Sequence, residues 1–137
     1  MHKMLSNFAE IREVDVDGTS NRTHGVDTAN FDGVLFILKT DGTEVVKAQQ
    51  DDELDSSDEL LEDPSDLADG SITTVANDIT FVDIYRPDER YVGLDVEDNG
   101  AVQGPVLALR YHSRNRPVDN DVDDEIKGLQ LVSPDEA

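Results

Sequence analysis

The sequence predicts an all-β fold, an antiparallel β-sandwich or a partly open β-barrel, and three observations carry that prediction. Six short extended segments, at residues 33–40, 43–49, 71–76, 79–85, 90–96 and 105–112, draw on Val, Ile, Leu, Phe, Tyr and Thr, the residue types that suit a pleated, half-buried surface. Turn chemistry separates them at Asp41-Gly42, Arg86-Pro87-Asp88-Glu89 and Asp98-Asn99-Gly100, where Gly, Asn and Asp tolerate the backbone of tight turns. In the second half no interval is long enough for the crossover helix that a parallel sheet requires.

Composition sets the frame. A chain of 137 residues has room for one domain with a thin core. Its 32 acidic and 11 basic residues leave a formal charge of -21, and Arg outnumbers Lys seven to four. High charge with low hydropathy is compatible with disorder, but runs such as Val34-Leu35-Phe36-Ile37-Leu38 and Val106-Leu107-Ala108-Leu109 are too apolar for a solvated chain. The balance fits a protein adapted to brine: in molar salt the Debye length falls to about 3 Å, and dense carboxylates then serve as a hydrated, soluble shell. Without Cys neither disulfides nor thiolate chemistry is open to it. No apolar run approaches the ~20 residues of a membrane helix, and Met1-His2-Lys3-Met4-Leu5 does not read as a signal peptide.

Taken in order, residues 1–25 read as an N-terminal arm, with a short helix as the equal alternative for the periodic Leu5, Phe8, Ile11 and Val14. Residues 26–117 form the predicted β-domain. Within it, residues 33–40, the Asp41-Gly42 turn and residues 43–49 read as a hairpin. Residues 51–70 read as an exposed loop, since positions 51–69 hold ten acids and no base; Ser56 and Glu59 before Leu60-Leu61 have the spacing of a capping box for one helical turn. Residues 118–137 read as a tail whose apolar Leu129, Leu131 and Val132 could add as a strand to a neighbouring subunit.

The chemistry-bearing residues do not assemble into a catalytic motif. His2, His24 and His112 lack metal-ligand spacing, and no phosphate-cradling loop or nucleophile elbow is present. Asp95 to Gly100 resembles the opening of a calcium loop, but the twelfth position is Val106 in place of the closing Glu, so a hairpin turn is the better reading. Four Phe, three Tyr and no Trp offer little for a sugar site. Asn21-Arg22-Thr23 has the form of a glycosylation sequon. No catalytic, cofactor-binding or metal residue is predicted, and no cofactor.

The charge of -21 opposes nucleic-acid binding. Five of the seven Arg nevertheless fall between Arg86 and Arg116: Arg86, Arg90, Arg110, Arg114 and Arg116. They predict either a positive stripe that pairs carboxylates on another acidic subunit or internal salt bridges to Asp83, Asp88 and Glu89.

From Val26 onward the chain resembles the small proteins encoded beside the major capsid protein in tailed-phage head gene clusters. The resemblance is carried by Val26-Asp27-Thr28-Ala29-Asn30-Phe31-Asp32-Gly33-Val34-Leu35-Phe36, Val82-Asp83-Ile84-Tyr85-Arg86-Pro87, Arg90-Tyr91-Val92, Ala108-Leu109-Arg110-Tyr111 and Arg116-Pro117-Val118, in that order over roughly a hundred residues, with a further echo in Leu131-Val132-Ser133-Pro134. Where similar proteins have a shorter polar stretch leading to a Trp, this chain has its acidic segment and no Trp.

The resemblance implies a β-sandwich component of the virion without catalytic residues. The expected function is therefore a minor capsid, decoration, cement or turret subunit of a tailed virus of a halophilic host, made in the host cytoplasm and assembled into the capsid. Its expected partners are the major capsid protein and copies of itself, with neither nucleic acid nor membrane. The alternatives are a head-completion or tail protein and, from another class, a soluble ligand-binding β-barrel module. The expected contacts are Arg86, Arg90, Arg110, Arg114, Arg116, Leu129, Leu131 and Val132.

Overall fold

In a computed structural model, which describes residues 9–113, the chain forms eight strands: β1 (Glu10–Val14), β2 (Val26–Asp27), β3 (Gly33–Lys39), β4 (Val45–Asp51), β5 (Ser65–Thr73), β6 (Ile79–Tyr85), β7 (Tyr91–Val96) and β8 (Val106–Tyr111). They make two four-stranded antiparallel sheets, ordered β1-β8-β3-β6 and β2-β7-β4-β5. Of the two predicted architectures the chain adopts the sandwich: the sheets stay separate and pack face to face.

Alternation along the strands builds the core between them. Val34, Phe36 and Leu38 of β3 point inward with Val106 and Ala108 of β8, Ile84 of β6 and Val14 of β1. They meet Val46 and Ala48 of β4, Val92, Leu94 and Val96 of β7, and Val26 of β2. Full burial of each Val, Leu, Ile or Phe contributes about 1.5–3 kcal/mol.

Strands β3 and β4 do not form the expected hairpin. Each lies in a different sheet, so Asp41-Gly42 turns a corner between layers. β3 is apolar on both faces and takes β6 and β8 as neighbours, while β4 takes β5 and β7. Two buried hydroxyls hold the corner: Thr40 Oγ1 and Thr74 Oγ1 stand 2.7 Å apart, both within hydrogen-bond distance of the Gly42 carbonyl. The expected hairpin turn at Asp98-Asn99-Gly100 is likewise a crossing, from β7 to β8, through a single 3-10 turn (Asn99–Ala101) in which the Asp98 carboxylate accepts from the Gly100 N–H.

The N-terminal boundary also moves. Residues 10–25 belong to the sandwich: β1 pairs with β8 from Glu10↔Arg110 to Val14↔Val106, and Val16 bridges Thr23. The loop expected over residues 51–70 is a loop only in its first part, because β5 starts at Ser65 and pairs with β4 through an irregularity between Lys47 and Gln49. A single turn does form over residues 56–58, closed by the Glu59 N–H on the Asp55 carbonyl at 3.0 Å, but Ser56 does not cap it. Asp55 organises the bend instead, its carboxylate accepting from the Ser57 N–H and hydroxyl, and Glu59 is left-handed at φ 61°. Residues 118–137, and with them the expected tail contacts, lie outside the described residues.

Candidate docking surface

Three of the predicted contact arginines are described, and two of them are already occupied. Arg90, just before β7, grips the Asp27 carboxylate with Nε at 3.0 Å and Nη2 at 2.8 Å. That grip is the main reason the Asp27 carboxyl is held below its ordinary range. Arg110 on β8 makes a two-point pair with Glu10 of β1, donates from Nη1 to the Asp27 carbonyl at 2.9 Å, and lies 4.4 Å from the centre of the Phe31 ring. The arginines therefore fasten β1, β2 and β8 to one another. The expected partners Asp83, Asp88 and Glu89 are not the ones they use.

Arg86 stands over the Tyr85 ring at 5.2 Å and, among the described residues, has no carboxylate within ion-pair distance. A polar groove of about 410 Å³ lies beside it, between residues 28–32 and 86–90. Arg114, Arg116, Leu129, Leu131 and Val132 fall outside the described residues, so no continuous positive stripe is defined.

The other motifs take structural roles. Thr23 of the sequon is buried and accepts from the Leu94 N–H; Asn21 uses both ends of its amide, on the Glu97 carbonyl and the Asn99 N–H. His24 faces Glu59 at 3.3 Å and His112 faces Asp32 at 3.4 Å. Among the described residues no group of three or more His, Asp or Glu is placed to hold a metal ion.

The feature that stands apart is the outer face of the first sheet. Residues between the inward-pointing ones of β1, β8, β3 and β6 face away from the core, and the register aligns them in rows across the strands. One row is Ile11, Leu109, Leu35 and Asp83; the next is Glu13, Leu107, Ile37 and Phe81. Tyr111, Gly33 and Tyr85 flank the first, Lys39 and Ile79 the second. Along β6 the exposure is large: 74% for Ile79, 65% for Phe81 and 56% for Tyr85. Contiguous apolar surface of this kind marks interaction sites.

The carboxylate within that face is already engaged. Tyr111 reaches across Gly33 and donates its hydroxyl to Asp83 at 2.6 Å. Burial, and then the Asp83 carboxylate, push ionisation of the Tyr111 hydroxyl well above the ordinary tyrosine range, so it stays a donor. The crossing requires glycine at 33, where a Cβ would overlap the Tyr111 hydroxyl and come within 2.7 Å of the Ile84 carbonyl.

The second sheet is finished differently. Its outward positions include Lys47, Asp95, Gln49 and Asp66, with Gln49 Nε2 donating to Asp66 at 2.9 Å. The loop after β4 folds back onto it. Leu60 and Leu61 are buried, Leu61 reaches Gly93, and Leu54 and Leu61 crowd Gly25 so closely that a Cβ there would have to displace the Leu54 methyl. The loop is held by Asp51, a buried carboxylate that accepts from the N–H groups of Asp52, Glu53 and Asp63. Burial pushes its carboxyl up, but these three donors outweigh it and the net shift is downward.

The apolar outer face was missed from sequence although its signal was present. Leu35, Ile37, Leu107 and Leu109 make the β3 and β8 runs apolar at odd and even positions alike, which is the pattern of strands covered on both faces. Among the described residues, fold and surface together define a β-sandwich with one sheet covered by its own loop and one apolar sheet, half-buried at its centre and exposed along β6, that no described segment covers. No family model, curated protein or solved structure matches the chain.

Proposed function

We propose that the protein is a structural subunit of the virion of a tailed virus of a halophilic host, attached to the capsid shell as a decoration, cement or turret subunit by the outer face of its first sheet. The observation that carries this reading is the apolar face itself. A chain of charge -21 keeps carboxylates over most of its surface, yet this sheet presents Ile11, Leu35, Ile37, Phe81, Leu107 and Leu109 in adjoining rows. The ordered resemblance between Val26 and Val118 supplies the kind of assembly.

Function on this reading comes from buried area and not from catalysis. A subunit that binds only the assembled shell stabilises that shell by mass action, and repeated copies follow the local symmetry of the lattice. The acidic shell keeps the unattached subunit soluble in brine.

The test is sedimentation of purified particles in molar salt. The protein should travel with them at a fixed ratio to the major capsid protein. Recovery solely from the host cytosol would refute the proposal.

A further inference from the structure

We infer that two copies of the chain associate through β6, edge to edge and antiparallel, to form one continuous eight-stranded sheet about a two-fold axis. The inference rests on the reading of the first sheet as the contact surface, and it names the partner at the β6 edge, which no other described strand pairs.

The four sheet edges are not alike. β1 carries Glu10, Arg12 and Glu13 in five residues. β2 is two residues long. β5 carries Asp66 and Asp69, has Asp69 in a left-handed conformation at φ 56°, and pairs irregularly. Charge, shortness and irregularity are the devices that prevent edge-to-edge pairing. β6 has none of them: over Ile79–Tyr85 it runs seven residues in unbroken register with β3, and its single charged side chain is Asp83.

Its sequence is self-complementary. Antiparallel pairing centred on Val82 sets Ile79 opposite the partner's Tyr85 and Phe81 opposite the partner's Asp83, with Val82 opposite itself. Ile79 and Tyr85 then cover each other directly, while Phe81 meets the partner's Phe81 and Tyr85 across the diagonals. The two Asp83 residues come to rest as diagonal neighbours, at a residue spacing of roughly 7–8 Å. That separation lies inside the Debye length of about 10 Å at 0.1 M salt and well outside the ~3 Å of molar salt. Each already accepts a hydrogen bond from Tyr111. Pairing is therefore favoured in brine and opposed in dilute buffer, and the dimer joins two apolar faces into one.

Sedimentation equilibrium of the purified full chain tests this without any virus particle. The expected result is dimer mass in molar potassium chloride, monomer mass under the same conditions for Phe81→Glu, which sets a carboxylate directly opposite the partner's Asp83, with an unchanged circular dichroism spectrum, and a shift toward monomer near 0.1 M. Because the chain has no Cys, register can be read directly: Ile79→Cys mixed with Tyr85→Cys should form a disulfide-linked heterodimer under mild oxidation. A wild-type monomer at every salt concentration overturns the inference, as does a dimer that persists in Phe81→Glu, or a mixture that forms no cross-link. A wild-type dimer that fails to sediment with particles would leave the pairing intact and remove the virion reading; a monomer that does sediment would do the reverse.

Discussion

The outer faces of the two sheets show two ways of finishing a sandwich. Over the second sheet the chain supplies its own cover: Leu54 and Leu61 close against Gly25, and Leu61 against Gly93, with Leu60 also buried, and the outward positions at Lys47, Gln49, Asp66 and Asp95 are polar. Over the first sheet Leu35, Ile37, Leu107 and Leu109 stand in rows with Ile11 and Phe81. In a protein so heavily acidic, apolar side chains gathered on one face are surface withheld from the hydrated shell. The contrast teaches that total charge describes solubility, while its local absence points to the partner.

The sharpest way to separate the two sides of the first sheet is to truncate neighbours on one strand. Phe36→Ala, at a fully buried position, should cost about 3–5 kcal/mol, read as a lower urea midpoint. Leu35→Ala, one residue along and facing out, should cost much less and weaken attachment instead. Equal losses of stability would erase the distinction.

Effects of about 1–3 kcal/mol are expected where each face is locked. Gly33→Ala should destabilise by that amount because backbone and the Tyr111 ring must both yield. On the other sheet Asp51→Ala should cost about 1–2 kcal/mol by removing the charged acceptor shared by three N–H groups. That contribution depends on pH with a definite sign. The Asp51 carboxyl titrates lower in the folded chain than its ordinary value, so its stabilisation is complete above about pH 4, the unfolded range, and disappears as pH falls through the lowered folded value. Urea midpoints at pH 7 and pH 3 should therefore converge between wild type and Asp51→Asn at the lower pH.

The smallest effect belongs to the arginines. Arg90→Ala breaks an exposed pair with Asp27, worth about 0–1 kcal/mol, and should leave attachment unchanged; a large loss of attachment would return the contact to that end of the sandwich.

How much of this was legible in sequence depends on where each residue stands. β3, β6, β7 and β8 were readable within a residue or two, because buried strands alternate or run apolar. β5 was readable only at its end, where residues 71–73 fall in the segment expected at 71–76; its start was not, since Ser65, Asp66, Ala68 and Asp69 are all exposed and an edge strand held by backbone bonds leaves no pattern in its side chains. β1 was obscured by a spacing of Ile11 and Val14 that suits a helix, and pairing with β8 overrode it. The β3–β4 corner looked like a hairpin because Asp41-Gly42 describes the turn but says nothing of which sheet each strand joins. The arginines were found but their carboxylates were not: Asp27 lies 63 residues from Arg90, and Glu10 lies 100 from Arg110.

The central claim is that the apolar sheet is the face that docks, and one binding assay addresses it most directly. Purified Leu35→Asp/Leu107→Asp protein and Lys47→Glu protein, each checked for native circular dichroism, would be mixed with particles stripped of this subunit in molar salt and sedimented. The account predicts that the first variant stays in the supernatant while the second, altered on the opposite sheet, pellets with the particles like wild type. Pelleting of the Leu35→Asp/Leu107→Asp protein at the wild-type level would contradict it.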